Sequence, residues 1–309
     1  MDALEQAILR TVLYADVFNF PMTAAEIAHF LIADTPIPLA RIEQALASSN
    51  ALRHALESTD GLYYCAGRGE LVAMRRSRER ISAQLWSPAF RYGRWLGSLP
   101  FVRMVALTGA LAMQNAPSVD DDLDYVIVTR EGRVWLTRLF AVILVRLVKL
   151  RGVVLCPNYV LAESALAQER RDLYIAHEIV QMIPINGYDV FQRMRAANPW
   201  VSSMLPNANG VFFGFEEGSA RHTTPALKRV LERLLSGGVG DWLEVWEYRR
   251  KMRRFQSTLR IPNDAAKLDH QHVKGHFDDH GHPVLRQYAE RLRLAQMDTQ
   301  SDVMRIAGD

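Results

Sequence analysis

The sequence has little cysteine and no segment that predicts export. Its two cysteines, Cys65 and Cys156, are far apart in 309 residues and form no C-x-x-C spacing, which excludes a disulfide framework and a zinc knuckle. Two isolated thiols suit a reducing compartment. The amino terminus carries acidic residues where a secretory signal has basic ones before an apolar core. We therefore expect a cytoplasmic protein.

Long hydrophobic runs are also missing. The most apolar segment, residues 134–150, is interrupted by Arg138 and Arg146. It is shorter than the roughly 20 apolar residues that a membrane span requires. This segment predicts a buried amphipathic helix and no membrane partner. The formal net charge is only +3, so no overall field commits the chain to nucleic acid.

What the sequence does contain is the composition of a globular protein with room for two domains, 49% hydrophobic and 23% charged. Residues 1–67 predict three helices, with a capping box at Thr23 and Glu26 before the second. Asp60 and Gly61 then indicate a turn before a β-prone segment. Three helices followed by a small hairpin are typical of a winged helix.

Residues 68–100 predict a basic connecting helix, broken near Pro88. It is rich in arginine: Arg68, Arg75, Arg76, Arg78, Arg80, Arg91 and Arg94. A basic helix beside a winged helix makes nucleic acid a possible partner. The alternative is a solvated face whose arginines pair with a neighbouring domain, and the sequence leaves both interpretations open.

The fold class expected for the whole chain is α+β. Residues 101–208 predict a small mixed sheet, with strands at about 102–107 and 123–129 and an apolar run at 153–162, alternating with helices at about 133–150 and 164–182. Residues 209–309 predict a helical carboxy-terminal region. Two apolar stripes there suggest packing faces: Leu227, Val230, Leu231, Leu234 and Leu235, then Trp242, Val245 and Trp246.

Four carboxylates precede the second of these strands: Asp120, Asp121, Asp122 and Asp124. Because alternate residues of a strand share a face, Asp122 and Asp124 project side by side. Paired carboxylates are the ligands that Mg2+ prefers. Upstream, the first strand ends near Gly109, where a backbone without a side chain can approach a triphosphate closely. A phosphate cradle followed by a metal-binding pair indicates nucleotidyl transfer.

These residues resemble the polymerase-β-like nucleotidyltransferase superfamily. The match is Thr108, Gly109 and Ala110, followed by the acidic run that ends at Asp122, Leu123 and Asp124 before an apolar strand. A looser resemblance, from about residue 8 to 208, is to bacterial nucleotidyltransferase-domain proteins with an amino-terminal winged helix.

The resemblance implies metal-dependent transfer of a nucleoside monophosphate from an NTP to an acceptor, with release of pyrophosphate. Asp122 and Asp124 would be catalytic and would hold Mg2+ or Mn2+. Thr108, Gly109 and Ala110 would bind the nucleotide. The identity of the acceptor is not implied.

Three positions depart from the superfamily pattern. Ala110 replaces the serine that usually follows the glycine, and Gln114 stands where a glycine would make the loop more pliable. The next strand offers Asn158, a weak metal ligand, where a third carboxylate is usual; Glu163 and Asp172 are possible substitutes. These departures favour an alternative function: a catalytically degenerate nucleotide sensor, or a regulator that binds nucleic acid or protein through the winged helix.

A second candidate metal site is the histidine-rich segment 268–284. It contains His270, His272, His276, His280 and His282, with Asp269, Asp278 and Asp279. Imidazole and carboxylate ligands at short spacing suit transition metals. The segment reproduces no known zinc spacing, so a polar loop joining two helices is the preferred interpretation. His177, on an otherwise apolar helix, is interpreted as a core histidine.

Overall fold

The computed structural model describes residues 1–214, 225–255, 268–274 and 281–297, and shows a mixed α/β protein with two sheets. The amino-terminal elements surround a three-stranded antiparallel sheet of order β1-β3-β2. They are α1 (Ala3–Asp16), β1 (Met22–Thr23), α2 (Ala24–His29), α3 (Leu39–Ser48), α4 (Asn50–Ala55), β2 (Leu56–Thr59) and β3 (Leu62–Cys65).

Two local predictions for this segment are confirmed. Thr23 and Glu26 form the capping box, since the Thr23 amide donates to Glu26 Oε2 at 2.7 Å and the Glu26 amide donates to Thr23 Oγ1 at 3.2 Å. Asp60 and Gly61 form the turn between β2 and β3, with φ angles of +53° and +75°. Such left-handed pairs match the twist of a two-residue hairpin. The helix α4 was not predicted.

The predicted break near Pro88 is wrong. Helix α5 (Glu70–Gly97) runs through Pro88 without interruption. A proline removes one helical hydrogen bond, but tertiary packing holds this helix beyond it. Ala89, Tyr92 and Leu96 are buried against the larger sheet, and the Ala89 carbonyl accepts a 2.8 Å hydrogen bond from the Tyr125 hydroxyl. The helix is therefore part of the core rather than a free linker.

The larger sheet has five strands in the order β7-β4-β5-β6-β8. Of the described strands, only β5 and β6 run parallel; the other neighbouring pairs are antiparallel. Its strands, and the helices that connect them or follow them in the chain, are β4 (Val102–Leu107), α6 (Gly109–Ala112), β5 (Leu123–Thr129), α7 (Val134–Lys149), β6 (Leu155–Ala162), α8 (Leu173–Gln181), β7 (Ile183–Asn186), α9 (Tyr188–Ala196), α10 (Val201–Met204) and β8 (His272–Lys274).

Two further predictions need correction. The helix expected over 164–182 begins only at Leu173, because Asp172 caps it by accepting from the Ile175 amide at 2.8 Å. Part of the histidine-rich segment, expected to be a loop, forms β8 beside β6. The segment 134–150 is a helix, as predicted, and no helix within the described ranges is long and apolar enough to cross a bilayer.

Strand β5 is apolar on both faces and carries carboxylates only at its start. Leu123, Tyr125 and Ile127 join a core formed with α5 and α7, whereas Val126 and Val128 join a second core under α9. Side chains alternate along a strand, so Asp124 lies on the same face as Val126. The carboxylate therefore stands at the open end of the second core.

The carboxy-terminal helices are α11 (Ala226–Leu235), α12 (Gly238–Phe255) and α13 (Gly281–Leu294). Helices α11 and α12 do not pack through their apolar stripes. In α12 the predicted stripe faces outward, with Trp242 63% and Trp246 43% exposed, while Glu244 is buried. The reason is a cap: Glu244 accepts hydrogen bonds from the first backbone amides of α7, at Trp135 (3.0 Å) and Leu136 (2.7 Å).

Helix α11 also exposes its apolar face. Its apolar residues Leu227, Val230 and Leu234 are exposed, and Lys228 is buried instead. The Lys228 ammonium donates to the carbonyls of Gly97 (2.9 Å) and Val102 (2.7 Å), which fixes α11 to the end of α5 and the start of β4.

Candidate metal and nucleotide site

Three side chains meet where β5 and β6 begin: Asp122, Asp124 and Cys156. One ligand atom from each lies within 4.8 Å of the others. The parallel register pairs Asp124 with Cys156, so their side chains share a face of the sheet. All three residues are half-buried, which leaves the cluster accessible. The structure thus brings the two predicted carboxylates together and adds a thiol that the sequence did not suggest.

Gly109 closes one side of this cluster. Its φ is +70°, a conformation that costs other residues energy, and a Cβ built on it would lie 2.6 Å from Asp124 Oδ2. The preceding Thr108 amide donates to the Asp124 carbonyl at 3.0 Å, which ties the loop to β5. Glycine is required here on two counts, backbone conformation and space.

The side-chain hydroxyl of Thr108 is a second notable feature of this loop. Its Oγ1 is buried and has no hydrogen-bond partner in the described part of the chain. Buried hydroxyls normally have partners, so an unpaired one beside an acidic cluster is a feature that a bound ligand would explain. Ala110, the residue after Gly109, is half-buried and offers no side-chain donor.

The electrostatics of the cluster disfavour two charged carboxylates. Burial, followed by the negative charge of Asp122, raises the pKa of Asp124 to about 7. Burial, together with the charges of Asp124 and Asp122, also raises the pKa of the Cys156 thiol, which hydrogen-bonds to these carboxylates. Among the described residues, no lysine or arginine forms an ion pair with Asp122 or Asp124. The site therefore lacks a positive charge that a cation would supply.

The other acidic candidates do not join the cluster. Asp120 is exposed and Asp121 is half-buried at the loop that precedes β5. Glu163 lies 3.6 Å from Arg193 in an ion pair, and Asp172 is the cap of α8. The two proposed substitutes for a third carboxylate thus have structural partners elsewhere.

Asn158, the predicted weak ligand, lies at an irregularity in β6. The register pairs Tyr125 with Pro157 and then Val126 with Tyr159, so Asn158 is the residue without a partner on β5. This bulge separates Asn158 from the regular alternation that places Cys156 beside Asp124. The position next to the carboxylates is taken by Cys156. Gln114 has a φ of +53°, so the loop does adopt a glycine-like conformation at that position.

A cavity of about 490 Å³ adjoins the site. Gly109 and Ala110 form part of its wall, together with Glu178 on α8. Burial raises the pKa of Glu178, and the charge of Glu178 in turn contributes to the raised pKa of Asp124. Glu178 is a site residue that the sequence pattern does not single out, because it lies next to His177 on an otherwise apolar helix.

Two arginines of α5 are engaged by side chains elsewhere in the protein. Arg75 is buried and pairs with Glu26 at 2.7 Å and Glu79 at 2.8 Å. Arg78 donates to the Asn115 side chain at 3.1 Å. These contacts support the interpretation in which the basic helix pairs with neighbouring segments. Arg80, Arg91 and Arg94 are exposed.

The histidine-rich segment forms no metal cluster within the described residues, where Asp122, Asp124 and Cys156 are the only group of three suitable ligands. His272 is buried and contacts Asp269, with Nδ1 3.0 Å from Oδ1. His276, Asp278, Asp279 and His280 lie outside the described residues. His177 is a core histidine as predicted: it is buried, stacks on Tyr14 and contacts the Leu173 carbonyl.

Comparison with known proteins gives no relative. No protein-family model, no curated protein and no solved structure matches this chain.

Proposed function

We propose that this protein is a metal-dependent nucleotidyltransferase that transfers a nucleoside monophosphate from an NTP to an acceptor. The observation that carries the proposal is the approach of Gly109 to Asp124 beside Asp122. It joins the glycine turn of the sequence motif to its two carboxylates in one site. The resemblance of the motif to polymerase-β-like nucleotidyltransferases supports the same assignment.

The donor set fits a hard divalent cation. Asp122 and Asp124 supply carboxylate oxygens, and no described lysine or arginine neutralises them. Hard cations such as Mg2+ bind one or two protein carboxylates and take further ligands from water and phosphate. A bound Mg2+ or Mn2+ would supply positive charge to the triphosphate and polarise the α-phosphate.

The chain's own residues would position the nucleotide. Asp122 and Asp124 would hold the cation, and Gly109 lets Asp124 approach the backbone of the loop that would bind the phosphates. Thr108 Oγ1, buried without a partner, is suited to a phosphate oxygen or a bound water. In the transfer, the acceptor oxygen forms a bond to the α-phosphorus. The bond between that phosphorus and the oxygen bridging to the β-phosphate breaks, pyrophosphate leaves, and the acceptor proton passes to solvent.

The architecture supports the finer fold assignment that belongs to this proposal. A short strand between α1 and α2 pairs with the hairpin β2-β3, an arrangement typical of a winged helix. A mixed sheet with paired carboxylates at the start of one strand suits a nucleotidyltransferase core. On this interpretation the winged helix and α13 flank the active cleft. A cytoplasmic location remains our expectation from the sequence.

A second function is favoured by two features of the site. Cys156 stands where a third carboxylate would complete the metal site, and Ala110 removes a hydroxyl from the phosphate side. A site with these changes would suit a protein that binds a nucleotide without transferring it, which is a sensor or regulator. This alternative keeps the metal and nucleotide but not the chemistry.

Pyrophosphate release separates the two functions. The protein is incubated with each NTP and Mg2+, with a small-molecule extract as the source of acceptors, beside an Asp122→Asn, Asp124→Asn variant and an Asp120→Asn control from the same loop. A transferase releases pyrophosphate with the wild type and the control, but not with the double variant. Tight Mg2+-dependent nucleotide binding without release under any condition would instead identify the sensor.

A further inference from the structure

We infer that the cavity beside Gly109 binds the acceptor, and that this acceptor is a compact, mostly apolar molecule without negative charge. The inference rests on the proposed function, since it names the substrate class of the same site. It depends on three properties of the cavity: its size and lining, the charges in its wall, and its position relative to the carboxylates.

The size and lining suit a small molecule. A volume of about 490 Å³ lies within the usual range of small-molecule pockets. Residues from α1, the segment around β1, the loop after β4, α8 and α13 form the wall. Most of their side chains are aromatic or aliphatic, among them Tyr14, Phe18, Phe20, Phe30, Met113 and Tyr174.

Several polar groups in the wall are already used by the protein. Thr11 Oγ1 donates to the Ala7 carbonyl at 2.8 Å and accepts from the Ile32 amide at 3.0 Å. Asn115 donates to the Phe18 carbonyl at 3.2 Å and accepts from Arg78. Because these two groups have partners, the open polar groups of the wall are confined to the remaining polar side chains, which include Gln181 and Gln287. An apolar ligand loses little by entering it.

The charges in the wall exclude an anion. Among the described residues that line the cavity there is no lysine or arginine, and the one acidic residue is Glu178. Lys274 is near enough to lower the pKa of Glu178, but it does not line the cavity. A phosphate or carboxylate inside would lose its hydration without gaining a cation. Nucleic acid, which needs cations along its backbone, therefore does not fit as the acceptor.

The position links the cavity to the carboxylates. Gly109 and Ala110 line it, and Gly109 is the residue that packs against Asp124. A molecule in the cavity would therefore reach the side of the loop on which the nucleotide is proposed to bind. A single hydroxyl on an otherwise apolar molecule is the acceptor that this geometry fits.

A matched pair of fluorescent probes tests the inference. N-phenyl-1-naphthylamine is neutral, and 8-anilino-1-naphthalenesulfonate has the same skeleton with one negative charge. We expect the neutral probe to bind at least about ten-fold more tightly than the sulfonate, because no described residue of the wall is a lysine or arginine that could neutralise the sulfonate. Met113→Trp, which fills the cavity from a half-buried position, should weaken binding of the neutral probe by about ten-fold or more. Met252→Trp, half-buried on α12 outside the cavity, is the control and should not.

Glu178→Gln provides a second test that keeps the shape of the cavity. It should leave the neutral probe unchanged and improve binding of the sulfonate. Equal affinity for the two probes, or unchanged binding of the neutral probe in Met113→Trp, would overturn the inference about the cavity.

The role as acceptor site is decided by adding Mg2+ and NTP to the protein loaded with the neutral probe. Simultaneous binding supports an acceptor site, whereas displacement by the nucleotide would show that the cavity takes the nucleoside and would overturn the assignment. The Asp122→Asn, Asp124→Asn variant should still bind the probe. If the probe binds as expected but no NTP binds to any form of the protein, the proposed function fails and the acceptor role fails with it. The ligand class of the cavity would still stand.

Discussion

Gly109 and Asp124 are in such close contact that a single added methyl group would separate them. The Cβ position of Gly109 lies 2.6 Å from Asp124 Oδ2, less than any real contact between such atoms. The loop after β4 and the start of β5 therefore pack closely against each other. This contact is the physical reason why the motif has a glycine at position 109. A larger residue would displace either the loop or the carboxylate.

The first prediction concerns Gly109→Ala. We expect it to lower Mg2+-dependent nucleotide binding by at least about ten-fold, because Asp124 must move, and to cost about 1–2 kcal/mol of stability from the left-handed backbone. Gly132→Ala is the matched control, since Gly132 has φ +69° but open space around it. Gly132→Ala should show only the backbone part of the loss of stability, measured by chemical denaturation, and normal nucleotide binding, measured by calorimetric titration. Equal effects of the two variants on binding would contradict the fitted contact.

The second prediction concerns Cys156 as a replacement for a carboxylate. Cys156→Asp should raise Mg2+ affinity, because a third hard oxygen joins Asp122 and Asp124. Cys156→Ser should leave Mg2+ affinity nearly unchanged but weaken binding of the thiophilic ion Cd2+ by about ten-fold or more. Metal titrations of the three proteins, with Cys65→Ser as a control, test this. Cd2+ binding that is insensitive to Cys156 would show that the thiol does not face the metal site.

The third prediction separates structural from nucleic-acid roles for α5. Arg75→Met leaves Glu26 buried without its partner and should cost about 3–5 kcal/mol in the free energy of unfolding. Arg76→Met, at an exposed ion pair with Glu79, should change it by less than about 1 kcal/mol. Chemical denaturation measures both. A stable Arg75→Met protein that has lost nucleic-acid affinity would contradict the structural role.

The fourth prediction concerns acid stability. Burial lowers the pKa of His177 to about 4, whereas an unfolded histidine titrates near 6.5. The unfolded state therefore binds more protons between these values, and stability should fall as the pH drops from about 6.5 to about 4. The contribution of His177 is at most about 3 kcal/mol. Denaturation of wild type and His177→Phe at pH 7 and pH 5 should show a smaller loss in the variant. The same loss in both would contradict the burial of a neutral imidazole.

The carboxylate pair was predictable because a strand has a fixed alternation. Asp122 and Asp124 had to share a face once β5 was recognised, and Gly109 was marked by its place at the end of β4. Cys156 was not predictable, because its position depends on the parallel register of β5 and β6 and on the bulge at Asn158. Neither the register nor the bulge leaves a local pattern in the sequence.

The carboxy-terminal helices show a different limit. Their apolar periodicity was recognised correctly, but it marks the exposed faces. Glu244 is buried because it accepts hydrogen bonds from the first backbone amides of α7. Lys228 is buried because it donates hydrogen bonds to the carbonyls of Gly97 and Val102. A long-range polar contact can therefore decide which face of a helix is buried, against its hydrophobic pattern. Pro88 illustrates the same rule, since packing against the sheet overrides a local break signal.

The central claim is that Asp122 and Asp124 form a metal-dependent nucleotide site, and thermal stability in the presence of each NTP tests it most directly. A ligand at 100 times its dissociation constant stabilises the folded state by about 2.7 kcal/mol. We predict that at least one NTP raises the melting temperature with Mg2+ but not without it. The Asp120→Asn variant should respond in the same way and the Asp122→Asn, Asp124→Asn variant should not. A shift that is independent of Mg2+, or one that persists in the double variant, would contradict the account.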